Sequence, residues 1–234
     1  MSDAKAKESQ RKQVRYAVSD DCRLRAAIKL RSADSATAAK DWSGTLVDMS
    51  TGGAHIQISL GAVAYKGDDC VLKLAHGAVK IEVRGTLVHD VCSARFSVCG
   101  LRFDNSADKA YQHFLQPIIA SAALKAGETG VEPGRYREEY PGPGQTKLVV
   151  WRDSKPAGAV VAFDYTMVRY SAVLVAAGPD MAKNKQQVGF KSAGSGVPLS
   201  PAQEAEARWE FSLAASNLPT AIAPDIRKFL RLVS

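Results

Sequence analysis

The chain predicts a mainly β protein with some α structure. It reads as a small six-stranded antiparallel barrel with a following helix, then a second small α/β domain whose fold no motif names. Three observations lead there. Apolar and polar residues alternate with period two between Cys22 and Phe103, an apolar stripe at helical spacing follows at 111–122, and apolar segments resume at 147 after a Gly- and Pro-rich stretch.

At 234 residues, with 46% hydrophobic and 24% charged side chains, the composition is that of a globular protein and excludes wholesale disorder. No apolar run reaches the roughly 18–20 residues a membrane helix needs, and the first residues lack a signal peptide's apolar core. A soluble, cytoplasmic protein without a membrane span is therefore expected. Cys22, Cys70, Cys92 and Cys99 show no C-x-x-C spacing and read as reduced, partly buried thiols. The net charge of +7 favours an anionic partner without naming one. Residues 1–31 carry nine Lys/Arg against four Asp/Glu, so the front of the chain is its basic part.

Residues 1–20 read as a flexible basic arm, polar and short of anything to bury. Residues 21–125 supply the barrel and its helix. Val79, Ile81 and Val83 alternate with Lys80, Glu82 and Arg84, and Ala54, Ile56 and Ile58 alternate with His55, Gln57 and Ser59. Further strands are expected near 23–30, 42–49, 69–74 and 94–103, with a bulge near Cys99-Gly100 to let Phe96, Val98, Leu101 and Phe103 all face inward. Asp104-Asn105-Ser106 offers helix caps, after which Tyr111, Phe114, Leu115, Ile118, Ile119 and Ala122 make one apolar face. Pro117 inside that helix is expected to kink or break it. Residues 126–146 read as a Gly/Pro linker. In 147–234, apolar segments at 147–152, 157–164 and 168–176 read as strands and 178–199 as a loop. Ser200-Pro201 with Gln203 signals a capped helix, and Ile226 to Val233 a terminal one.

Patterns for catalysis and metal binding are missing from the sequence. His55, His76, His89 and His113 show no ligand spacing, and Gly194-Ser195-Gly196 follows Ala193, so no nucleophile elbow forms. The expectation is a protein that is not an enzyme and uses no metal and no cofactor.

Two clusters remain. Arg11-Lys12-Gln13-Val14-Arg15 places an R-x-x-x-R just ahead of the barrel, and Asp48-Met49-Ser50-Thr51-Gly52-Gly53 places a D-x-S-x-x-G where one strand turns into the next. Taken singly, the first reads equally as a solvated charge run and the second as an ordinary hairpin. Together with a strand ending Gly100-Leu101-Arg102-Phe103 and an amphipathic helix, they resemble the PilZ family of bacterial cyclic di-GMP receptors over residues 8–125. The resemblance implies a six-stranded barrel, an arm that closes over the ligand, and no catalysis.

It implies Arg11, Arg15, Asp48, Ser50, Gly52 and Gly53 as ligand-binding residues. An arginine fork suits guanine O6 and N7 or a phosphate, while Asp48 and Ser50 accept from guanine N1–H and N2–H2. Glycines at 52 and 53 would leave room for close approach. His89 stands where some family members stack an aromatic on the base, and a rim histidine is the other reading. Gln10 occupies a position resembling a determinant of one or two bound ligands, and stoichiometry stays open. Lys12 and Arg102 complete the candidate set. The function implied is a cyclic di-GMP effector controlling motility, exopolysaccharide or adhesion through arm ordering and domain reorientation. The alternative is a ligand-independent protein–protein adaptor acting through the C-terminal unit. A protein partner on 147–234 and a homodimer fit either reading. Nucleic acid is disfavoured, because Tyr16 is the one aromatic among the charges of residues 1–31.

Overall fold

A computed structural model describes residues 13–31, 41–61, 65–105 and 108–234. Gln10, Arg11 and Lys12 lie outside the described residues. The chain divides into two compact units, 1–18 with 24–115 and 19–23 with 116–234.

In the first unit the strands are β1 (Tyr16–Ala17), β2 (Arg25–Arg31), β3 (Asp41–Ser50), β4 (Gly53–Ser59), β5 (Asp69–His76), β6 (Val79–Cys92) and β7 (Phe96–Phe103). They run in the order β1-β3-β2-β5-β6-β7-β4, and β4 also pairs with β3. That pairing closes a six-stranded antiparallel barrel, with β1 laid on β3 through Tyr16 opposite Met49 and Ala17 opposite Asp48. Residues 13–20 are thus not all free arm, since they carry a strand whose backbone groups find partners on the barrel.

Alternation places Ile28, Leu46, Met49, Ala54, Ile56, Leu72, Leu74, Leu87 and Leu101 in the barrel interior, each almost wholly buried. Val83 is buried and Val79 and Ile81 half-buried, while Lys80, Glu82 and Arg84 face solvent. The bulge expected at Cys99-Gly100 is absent from β7. One parity, Ser97, Cys99, Leu101 and Phe103, is buried throughout, and Phe96 and Val98 stay half-buried. The extra residue sits in the partner strand, at Val88 between Leu87 and His89. A second bulge falls in β3, at Val47 between Leu46 and Asp48. Cys92 is exposed, against expectation, and burial pushes the thiols of Cys70 and Cys99 up to about 12.

The helix α1 (Lys109–Ala122) runs through Pro117 without interruption, because one missing N–H costs a single ladder bond within an otherwise buried stripe. Its first turn is held by Asp108, whose carboxylate accepts from the Tyr111 N–H at 3.0 Å; of the caps expected from residues 104–106, Ser106 lies outside the described residues.

The second unit contains a six-stranded antiparallel sheet, ordered β13-β12-β11-β10-β9-β8. Its strands are β8 (Thr129–Glu132), β9 (Arg135–Pro141), β10 (Lys147–Asp153), β11 (Val160–Thr166), β12 (Tyr170–Leu174) and β13 (Gly189–Ser192). Most of the expected linker 126–146 is therefore structured. Gly134, at φ +74°, turns β8 into β9, and β9 pairs with β10 along its whole length. The charges of β9 concealed a strand: Tyr140 is buried, and Glu138 accepts from Arg152, which also donates to Asp225.

Likewise the expected loop 178–199 holds α2 (Met181–Gln187), capped by Asp180, and the strand β13. The helices α3 (Pro201–Ser216) and α4 (Pro224–Val233) follow, and α3 opens with the predicted Ser200–Gln203 capping box. Phe211, Ala214, Ile226, Phe229 and Leu230 form one core with Leu148, Val150, Phe163, Tyr165 and Leu174 of the sheet. No helix of the described residues is long and apolar enough to cross a membrane.

Candidate functional site

Strand register builds the site before any side chain is considered. One row of opposed residues runs across five strands: Ala17 of β1, Asp48 of β3, His55 of β4, Gly100 of β7 and His89 of β6. The next row on the same side is Ser50, Gly53, Arg102 and Thr86. Five of the residues singled out in the sequence, Asp48, Ser50, Gly53, His89 and Arg102, therefore lie in two adjacent rows.

The two bulges explain why charged groups can occupy these rows. Leu46 and Asp48 have the same parity, as do Leu87 and His89, yet both leucines are in the core. One extra residue in each strand, Val47 or Val88, reverses the alternation and turns Asp48 and His89 out of the barrel. β4 needs no such device, since simple alternation places His55 outward between buried Ala54 and Ile56.

Arg15 comes to this row from the segment just before β1. Its Nη1 donates to Asp48 Oδ1 at 2.5 Å, and the pair is part-buried. His55 Nδ1 lies 2.8 Å from Asp48 Oδ2 and 2.9 Å from Arg15 Nη1. His55 Nε2 is buried and has no hydrogen-bond partner among the described residues. The rings of His55 and His89 meet edge to face at 4.9 Å between centroids. Gly100 permits this arrangement, because a Cβ there would fall 2.1 Å from the His89 ring.

Burial pushes the Asp48 carboxyl up. The hydrogen bonds from His55 and Arg15, with their charge, outweigh that and hold it below the ordinary carboxylate value. His89 shifts down, through burial first and then through the positive charge of His55 and Arg15. The site thus favours an ionised acceptor at Asp48 and an uncharged ring at His89.

Ser50 is buried, and its hydroxyl donates to Gly53 O at 3.2 Å and reaches Gln13 Oε1 at 3.4 Å. The Tyr111 hydroxyl donates to the Ser50 carbonyl at 2.5 Å, tying α1 to the turn. The two glycines serve the chain's own packing. A Cβ at Gly53 would lie 2.2 Å from Leu101 O, and one at Gly52 would meet the Gln13 side chain at 2.5 Å. Arg102 is exposed on the outer face beside them.

Arg15, Asp48, Ser50, Gly52, Gly53, His89 and Arg102 are thus brought to one end and one side of the barrel, while Gln10, Arg11 and Lys12 fall outside the described residues. Sequence reading passed over His55, Gln13, Gly100 and Tyr111. A signal existed for His55, since a tight turn pairing Ser50 with Gly53 places Asp48 opposite residue 55.

The PilZ domain family model matches residues 9–120. No curated protein matches the chain. An arm arginine meeting the aspartate of a D-x-S-x-x-G turn on a closed six-stranded barrel is the arrangement on which that match falls. Over residues 9–120 this chain is matched by the PilZ domain family, the family its two motifs resemble, whose members are receptor domains that bind cyclic di-GMP.

Proposed function

We propose that the protein is a cyclic di-GMP effector in which this PilZ domain senses the nucleotide and the second unit carries the output. The observation that supports the reading most is the Arg15–Asp48 pair, a guanidinium and a carboxylate held at 2.5 Å in a part-buried row. Guanine offers both the acceptors that an arginine fork wants and the donors that a carboxylate wants, so one base can satisfy both partners. Arg15 and Arg11 grip the Hoogsteen edge or a phosphate. Asp48 and Ser50 take the N1–H and N2–H2 donors, His89 and Arg102 border the base, and Gln10 and Lys12 complete the binding set. No cofactor is required, since the ligand itself is the signal.

The output follows the covalent path of the chain. Ser19 comes four residues after Arg15 and belongs to the second unit with 20–23. Re-seating Arg15 on a ligand then pulls on that segment and changes what the 147–234 region offers a protein partner or a second copy. The setting is the cytoplasm, and the controlled process is motility, exopolysaccharide output or adhesion.

Calorimetric titration of the intact chain with cyclic di-GMP tests this. Saturable binding that weakens at least tenfold in Arg15→Ala is expected. Absence of binding by the wild type overturns the reading in favour of a ligand-independent adaptor, and unchanged affinity in the variant removes Arg15 from the site.

A further inference from the structure

His55 has no part in either motif, yet it touches both. The strongest way for an arginine to meet a carboxylate is fork to fork, with two parallel N–H···O bonds. Arg15 and Asp48 do not meet that way. Nη1 alone reaches the carboxylate, at Oδ1, while Oδ2 is taken by His55 Nδ1 at 2.8 Å. A carboxylate offers only acceptors, so the proton in that contact is carried by Nδ1. The same Nδ1 lies 2.9 Å from Arg15 Nη1, donor beside donor, and blocks the guanidinium from swinging round to Oδ2.

The ring is in turn fixed from behind. His89 packs edge-on against it, in the space that Gly100 leaves, and Nε2 is buried. The Nε/Nη2 edge of Arg15 is accordingly left uncommitted to Asp48.

We propose that His55 is a positioning residue that holds the Arg15–Asp48 pair to a single hydrogen bond, so that the arginine keeps one edge and the aspartate one exchangeable oxygen for guanine. This rests on the reading of the site as one for cyclic di-GMP. Without the imidazole, Oδ2 opens to Nη2, the pair closes fork to fork, and the base must displace two charge-assisted bonds in place of one.

Two measurements on the intact chain test this, one of them without ligand. The first is a double-mutant cycle of Arg15→Ala and Asp48→Asn, read by urea unfolding, in the wild-type and His55→Ala backgrounds. The Arg15–Asp48 coupling constant is expected to rise several-fold when His55 is removed; an unchanged or smaller coupling overturns the proposal. The second is calorimetry with cyclic di-GMP. His55→Ala is expected to bind roughly tenfold more weakly, the equivalent of one added charge-assisted hydrogen bond in the competing pair. His55→Asn, whose amide can donate to Oδ2 in place of Nδ1, is expected to stay within about threefold of the wild type on the same scale. Wild-type affinity in His55→Ala, or no rescue by His55→Asn, overturns the positioning role. If the wild type binds no cyclic di-GMP, the proposed function fails, and the ligand-free cycle still decides what His55 does.

Discussion

The backbone N–H of Ser19 donates to the side-chain oxygen of Asn217 at 2.7 Å, joining the residues that follow the arm to the end of α3. The same asparagine donates through Nδ2 to Ser121 Oγ at 3.0 Å, and the Arg23 N–H reaches Ser216 Oγ at 3.3 Å. Asp21 pairs with Arg231 at 2.5 Å and with Arg227 at 3.6 Å. A segment of five residues, far from 216–231 in the chain, is thereby built into the second unit.

Asn217→Ala would leave the Ser19 backbone donor without its partner and remove one donor from Ser121 Oγ, which keeps its bond to Pro117 O. It is expected to destabilise the protein by about 1–3 kcal/mol, the cost of unsatisfied buried groups. Hydrogen exchange should show faster exchange at Ser19 and Arg23 than in the wild type, with the barrel strands unchanged. Uniform loss of protection would instead mean that the seat is not a local feature.

Stability should also depend on pH through Asp48. Its folded pKa lies below its unfolded value, so its contribution is fully present above the ordinary carboxylate range near 4. That contribution fades as pH falls through the lower folded value. The stability gap between wild type and Asp48→Asn in urea unfolding should therefore be largest at neutral pH and shrink toward pH 3. A gap that grows on acidification contradicts the sign.

His89 offers a spectroscopic reading of the same cluster. Its ring proton should titrate below the ordinary histidine value of about 6.5 in NMR. Arg15→Ala removes one of the positive charges pressing it down, so the midpoint should move back upward in that variant. A midpoint that stays put would mean that Arg15 takes no part in setting it.

The two close-packed glycines should differ in kind when changed to alanine. Gly53→Ala drives a Cβ against the backbone carbonyl of Leu101, which cannot swing away, and should cost about 1–3 kcal/mol or more as overpacking does. Gly100→Ala meets the ring of His89, a side chain that can move. It should cost less stability while breaking the His55–His89 contact, visible as a shifted His55 resonance. Equal destabilisation of the two variants would deny that His89 is the part that yields.

Much of this protein is local and was therefore legible. Alternation marked Ala54, Ile56 and Ile58 as one strand face, the capping box marked the start of α3, and the two short motifs marked Arg15, Asp48 and Ser50, because each rests on residues a few positions apart. What escaped depended on partners distant in sequence. The strand in 135–141 looked like linker because its charges are satisfied by Arg152 and by pairing to β10. The bulge falls at Val88 and α1 continues through Pro117, because the surrounding packing decides among local options of similar energy.

The amino-acid sequence by itself determined the barrel's strands, the turn chemistry and the motif residues, since period, spacing and glycine placement act within single elements. Tertiary structure alone decided that bulges at Val47 and Val88 turn Asp48 and His89 outward, that His55 stands between the motifs, and that residues 19–23 belong with the second unit. The reason is register. A one-residue shift in a ladder reverses every side chain beyond it, and that shift is set by cross-strand pairing that no single strand encodes.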